Sequence, residues 1–246
     1  MLRRRTLLLL LTLASPAFAR IGWGRETQWR YKLTLTLDTP NGRRTGSSVG
    51  EIQHHETKGI LEGRWASLEG EAVYVDMGFG KRPLVALLND DRNPIWLDRS
   101  RHRPETRRWH DGPRTEFVLK LYDNSAPIGD DIENAILLQH YRGPQGISPK
   151  DLPDLISFKD RSEPTTWFPV DPNNIALALG TGVKWHSITV EVTDEPVTFD
   201  IENRLPWVKS SSGLGWRNDQ TDKTLRRPDF ERRHVGNKAF ELTDAD

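Results

Sequence analysis

Residues 183–208 read V-K-W-H-S-I-T-V-E-V-T-D-E-P-V-T-F-D-I-E-N-R-L-P-W-V, and their pattern decides the fold class. Ile188, Val190 and Val192 recur at alternate positions in phase with Lys184 and His186. Trp185, Ser187, Thr189, Glu191 and Thr193 take the positions between. A period of two sends successive side chains to opposite faces, so the segment is a half-buried strand with one aliphatic face and one polar face carrying Trp185. Asp194-Glu195-Pro196 turns the chain, because proline lacks a ladder donor and disfavours helical backbone before it. Val197, Phe199 and Ile201 alternate again as a second short strand, which stops at Leu205-Pro206-Trp207.

The same alternation recurs upstream. Tyr31, Leu33, Leu35 and Leu37 mark a strand over 28–37, Asp38-Thr39-Pro40-Asn41-Gly42 a turn, with Asn-Gly suited to positive φ, and residues 47–53 the returning partner. Residues 70–78 and 82–88 form two further strands joined by Phe79-Gly80-Lys81, and T-E-F-V-L-K-L-Y at 115–122 is another. Asp130 or Asp131 caps a helix over 130–141 that ends before Gly143. Ser148-Pro149 opens a single helical turn, and 155–158 is a short strand. Asp171-Pro172-Asn173-Asn174 starts a second helix, with Ile175, Leu177 and Leu179 apolar and Gly180 as its stop. Many strands, about two short helices and mostly short connections predict a mainly β, antiparallel, sandwich-like domain, with α+β as the alternative.

The first residues have a different character. Arg3-Arg4-Arg5, an apolar run over 6–14 and Ala17-Phe18-Ala19 have the order of a cleaved secretory signal over residues 1–19, too short for a membrane span. Arg4-Arg5 also fits a twin-arginine leader, so the export route stays open. The expected organisation is therefore this leader, one β-rich domain over 20–208, and a polar tail over 209–246, peripheral or partly disordered. Export implies a periplasmic location, with no transmembrane span after cleavage.

The leader carries three arginines and no acid, so its loss takes the formal charge from zero to about −3, which disfavours nucleic acid as a partner. Cysteine is absent. That excludes disulfides, thiolate metal sites and a cysteine nucleophile, and leaves stability to the core alone.

Several blocks carry a resemblance. They are residues 31–37 with Thr39-Pro40-x-Gly42; Gly46-Ser47-Ser48-Val49; Gly70-Glu71-Ala72-Val73 with Val75-Asp76; residues 84–88; Phe158-x-Asp160; Val170-Asp171-Pro172; and Gly182-Val183 through Thr189-Val190-Glu191-Val192-Thr193-Asp194-x-Pro196-Val197-Thr198 to Ile201-Glu202 and Leu205-Pro206-Trp207. Through them, scattered over residues 29–208, the chain resembles a family of uncharacterised exported proteins of Gram-negative bacteria. The resemblance implies an envelope location and brings no catalytic residue with it.

The chemical motifs are weak. Gly46-Ser47-Ser48-Val49-Gly50 fits G-x-S-x-G, yet a nucleophile elbow needs a strand before the serine and a helix after it, and here strand continues. His54-His55-Glu56 puts adjacent imidazoles on opposite faces of a strand, so no metal or other cofactor is expected. Glu71, Asp76 and Glu191 are the carboxylates a hydrolase of an envelope polymer would use, if they converged on one cleft. The loop 92–114 gathers arginines with Trp96 and Trp109. Arg103, Arg107, Arg108 and Trp109 are the candidate anion-binding group, with Trp185 as a second candidate contact. The leading expectation is a periplasmic, non-enzymatic binding or interaction module whose partner is an envelope protein or an anionic lipid or glycan. A carboxylate-dependent hydrolase and a structural envelope component are the alternatives.

Overall fold

The computed structural model describes residues 24–57, 63–88, 113–127, 129–205, 207 and 241–242. The leader, residues 89–112 with Arg103, Arg107, Arg108 and Trp109, and all of the tail except Glu241–Leu242 lie outside the described residues.

The fold is mainly antiparallel β, built on one long hairpin. Strand β1 (Gly24–Thr39) and β2 (Gly42–Thr57) pair over their full length, and Trp29, Tyr31, Leu33, Leu35 and Leu37 bury one face of β1. The positive φ at the turn falls on Gly42 alone, at 100°. Asn41 thus stays on the ordinary side of φ, and Pro40 supplies the fixed bend. Strand β3 (Gly63–Glu71) adds to the second half of β2. The chain then breaks at Ala72 into β4 (Val73–Val75), which forms a short antiparallel hairpin with β5 (Leu84–Ala86). The stretch expected to be one strand over 70–78 is thereby split between two sheets.

Residues 115–122 form a helix, α1 (Thr115–Tyr122), and not the expected strand. T-E-F-V-L-K-L-Y satisfies both periods, and packing decides between them. Thr115, Val118 and Leu119 are buried on one helical face, while Glu116 and Lys120 pair at 2.9 Å on the other. Helix α2 (Asp131–Leu138) begins where expected, with Asp130 and Glu133 forming a reciprocal capping box. A two-residue strand β6 (Gln145–Gly146), a 3₁₀ turn (Pro149–Asp151), β7 (Leu155–Phe158), β8 (Trp167–Pro169) and α3 (Ile175–Leu179) follow. Helix α3 starts at Ile175 with Asn174 at its N-cap, three residues beyond the expected start at Pro172, and Leu177 points to solvent.

Strand β9 (Lys184–Thr193) lies beside β1 and buries Ile188, Val190 and Val192, as the alternation predicts. The alternation fails at its start. Thr36 pairs with Ser187 but Leu37 pairs with Trp185, so His186 is an extra residue in a β-bulge. The bulge turns Trp185 from the expected polar face to the Leu37 side. There it packs against the core, and its Nε1 donates to the Pro172 carbonyl at 2.8 Å. Downstream, residues 197–201 do not form the second strand. Pro196 is followed by irregular chain and the single turn α4 (Ile201–Arg204).

Two sheets result. One runs β10-β3-β2-β1-β9-β6, where β10 (Glu241–Leu242) pairs with Gly70 and Glu71. The other runs β4-β5-β7-β8. The main core lies between the inner face of the large sheet and the layer made by the second sheet with α1 and α2. Val85, Leu87, Ile156 and Phe158, on the second sheet's other face, are covered by Ile201, Leu205 and Trp207. Gly46 permits the close crossing of β2 and β4: a Cβ there would lie 2.3 Å from the Tyr74 carbonyl oxygen.

Candidate functional site

The open end of the long hairpin carries an ionic row built by strand register. Arg25, Glu56 and Arg64 stand opposite one another on β1, β2 and β3. Glu56 is 4% exposed, with Oε1 at 2.6 Å from Arg64 Nη2 and Oε2 at 3.7 Å from Arg25 Nη1. Asp130 Oδ2 reaches both arginines at 3.2 Å, while Oδ1 accepts the Glu133 N–H at 2.9 Å. Burial pushes the Asp130 carboxyl up, but the Glu133 N–H and the two guanidinium charges outweigh it and hold the pKa below its ordinary value. Two and three residues further along the ladder, His54 Nε2 and Thr115 Oγ1 are 3.1 Å apart, and Gln139 Nε2 donates to the Gln28 carbonyl at 2.8 Å. This network fastens α1 and α2 to the sheet, and its charges are matched within it.

The hydrolase carboxylates are engaged differently from one another. Glu71 ends β3 in a buried position, and its Oε2 accepts the N–H groups of Asp200 and, at 2.6 Å, Ile201. It caps α4 from a distant strand, although burial outweighs those bonds and raises its pKa. Asp76 is exposed and accepts the Gly78 N–H at 2.8 Å. Glu191 stands opposite Lys32 on β9. Ser48 lies inside β2, opposite Leu33, with strand on either side. His54 faces inward, and His55 Nδ1 sits 3.6 Å from Glu26 Oε1. Among the described residues no group of three or more His, Cys, Asp or Glu side chains is arranged to hold a metal ion.

At the other end of the hairpin, three connections meet. The β1–β2 turn touches the β4–β5 tip where the Arg44 guanidinium lies against Gly78, 3.1 Å from where a Cβ would stand. The tip reaches α3 through Arg82, whose Nη1 donates to the Ala178 carbonyl at 3.3 Å and whose guanidinium covers the Phe168 ring. Gly182 after α3 packs on Pro40. At the apex, Gly78 and Gly80 adopt φ of 95° and 68°. This left-handed pair, which side-chain-bearing residues rarely tolerate, lifts Phe79 clear of the fold at 107% exposure. Leu177 is 83% exposed beside Ala178. Lys81, Arg82, Arg43 and Lys184 are exposed around them. Asp38 is occupied by Arg43 and His186, each at 3.4 Å. Burial works to raise its pKa, yet these two partners hold it low.

Compared with protein-family models, curated proteins and solved structures, the chain matches none. The feature that motif reading passed over is Phe79. Its signal is present in G-F-G-K-R, an aromatic set between glycines in a connection too short to bury it.

Proposed function

We propose that the protein is a non-enzymatic interaction module of the cell envelope, reached by export through residues 1–19. The observation that carries this reading is the presented tip: a full aromatic side chain held in solvent between two left-handed glycines, on a connection that Arg82 ties to α3 with its exposed Leu177. Single exposed apolar residues are ordinary on protein surfaces, but a backbone conformation devoted to exposing one is not. The state of the carboxylates points the same way. Glu56 and Asp130 are spent in the ionic row and Glu71 in capping α4, so these acids serve structure.

The test is capture from detergent-free envelopes, using the protein with a photo-crosslinker at position 79. Recovery of a reproducible protein, lipid or glycan adduct, lost when the crosslinker is moved to position 136, supports the reading. A crosslinking pattern that does not depend on position counts decisively against it.

A further inference from the structure

The tip also indicates what it contacts. We infer that the end of the molecule formed by the β1–β2 turn, the β4–β5 tip and α3 docks on an anionic phospholipid bilayer, with Phe79 and Leu177 entering the headgroup region. This rests on the interaction-module reading and names the partner.

The first argument is the pairing of exposed apolar and cationic groups at one end of the molecule. Phe79 leads, and Lys81 and Arg82 follow it directly in the chain. Arg43, Arg44 and Lys184 are contributed by neighbouring strands. Interfacial anchoring uses this combination: apolar rings seat among headgroups and acyl chains, while long cationic side chains remain at phosphate level. The second argument is charge balance at this end. Among the described residues, this end carries Arg43, Arg44, Lys81, Arg82 and Lys184 with the acids Asp38, Asp76 and Asp171. Asp38 and Arg43 neutralise each other at 3.4 Å, and Asp76 accepts from the tip's own backbone at Gly78, so the four cations Arg44, Lys81, Arg82 and Lys184 stand against the two acids Asp76 and Asp171. Without the three leader arginines the chain carries a formal charge of about −3, so the positive excess here is local and complementary to anionic lipid. The third is shape. Phe79 stands on a protruding tip, which suits an interface that yields. A protein partner would have to supply a pocket for it.

The absence of cysteine from the sequence allows a local test. Phe79→Cys and, as a control at the opposite end on the exposed side of α2, Ile136→Cys are each labelled in the full chain with an environment-sensitive fluorophore, which at position 79 stands in for the ring. Each is titrated with vesicles of phosphatidylglycerol and phosphatidylethanolamine, and with pure phosphatidylcholine. The expected result is a blue shift at position 79 with the anionic vesicles only, reversed by salt and weakened by Lys81→Glu, and no change at position 136. In co-sedimentation Phe79→Ser should reduce partitioning about fivefold or more. Equal responses at 79 and 136, or none at 79, overturn the proposal. If position 79 ignores vesicles but crosslinks to an envelope protein, the membrane assignment fails while the interaction module stands. If it engages neither, both fail.

Discussion

Two carboxylates show how local surroundings assign opposite roles to similar groups. Asp130 has a folded-state pKa held below its unfolded value, so its contribution to stability is present above about pH 4 and is lost as pH falls through the folded value. Glu71 has its pKa raised by burial. Its contribution is present below about pH 4 and is lost as pH rises through the folded value. Two substitutions separate these effects. Asp130→Asn keeps a competent N-cap but removes the charge between Arg25 and Arg64. It should cost about 1 kcal/mol at neutral pH and flatten the acid side of the stability profile. Glu71→Gln keeps an acceptor for the Asp200 and Ile201 N–H groups and should remove the loss on the neutral side. Urea unfolding between pH 3 and 8 reads both. If the two variants changed the same limb of the profile, the assignment would be wrong.

Elements were legible in the sequence where one period dominated. The β1–β2 hairpin, α2 with its Asp130 cap, β7 and the body of β9 follow from alternation and capping residues alone. The misread stretches each carried a second possibility that only packing resolves. T-E-F-V-L-K-L-Y fits strand and helix alike, and burial of Val118 and Leu119 against α2 and the sheet selects the helix. Tyr122 then completes a neighbouring edge, donating to the Gly143 carbonyl at 2.6 Å and accepting the Val192 N–H at 2.8 Å. Val197-x-Phe199-x-Ile201 alternates, yet Thr198 alone bonds to β2, at Val49. The cap that folds α4 comes from Glu71, some 130 residues earlier. A bulge such as that at His186 leaves no mark in a period-two pattern, which is why Trp185 was assigned to the wrong face. The candidate surface was hidden for a simpler reason: motif reading looks for reactive groups, and Phe79 is inert. The crossing of β2 and β4 gives a prediction at this scale. Gly46→Ala puts a methyl group into the Tyr74 carbonyl and should cost about 2–4 kcal/mol in urea unfolding, because backbone cannot rotate aside as a side chain can. An unchanged midpoint would mean that the sheets are not closely crossed there.

For the whole molecule, the layer order matters more than any one contact. The second sheet is apolar on both faces, and among the described residues the segment carrying Ile201, Leu205 and Trp207 covers its outer one. The Trp207 ring meets Phe158 edge-on at 5.7 Å, and its Nε1 donates to the Arg161 carbonyl at 3.0 Å. A chain ending at residue 199 should therefore expose Val85, Leu87, Ile156 and Phe158. It should bind an apolar dye strongly and self-associate on gel filtration, whereas a chain ending at residue 208 should do neither. Equal dye binding by the two would show that the cover is dispensable.

The length of the first hairpin has a further consequence. Sixteen residues in each arm give a contour of at most about 50 Å, with the basic, apolar tip region at one end and the ionic row at the other. With the tip seated on a bilayer, the hairpin becomes a ruler. It fixes how far from the lipid surface Arg25, Arg64 and anything bound near them are carried. Each successive pair of residues along the two arms accounts for about 7 Å of that height.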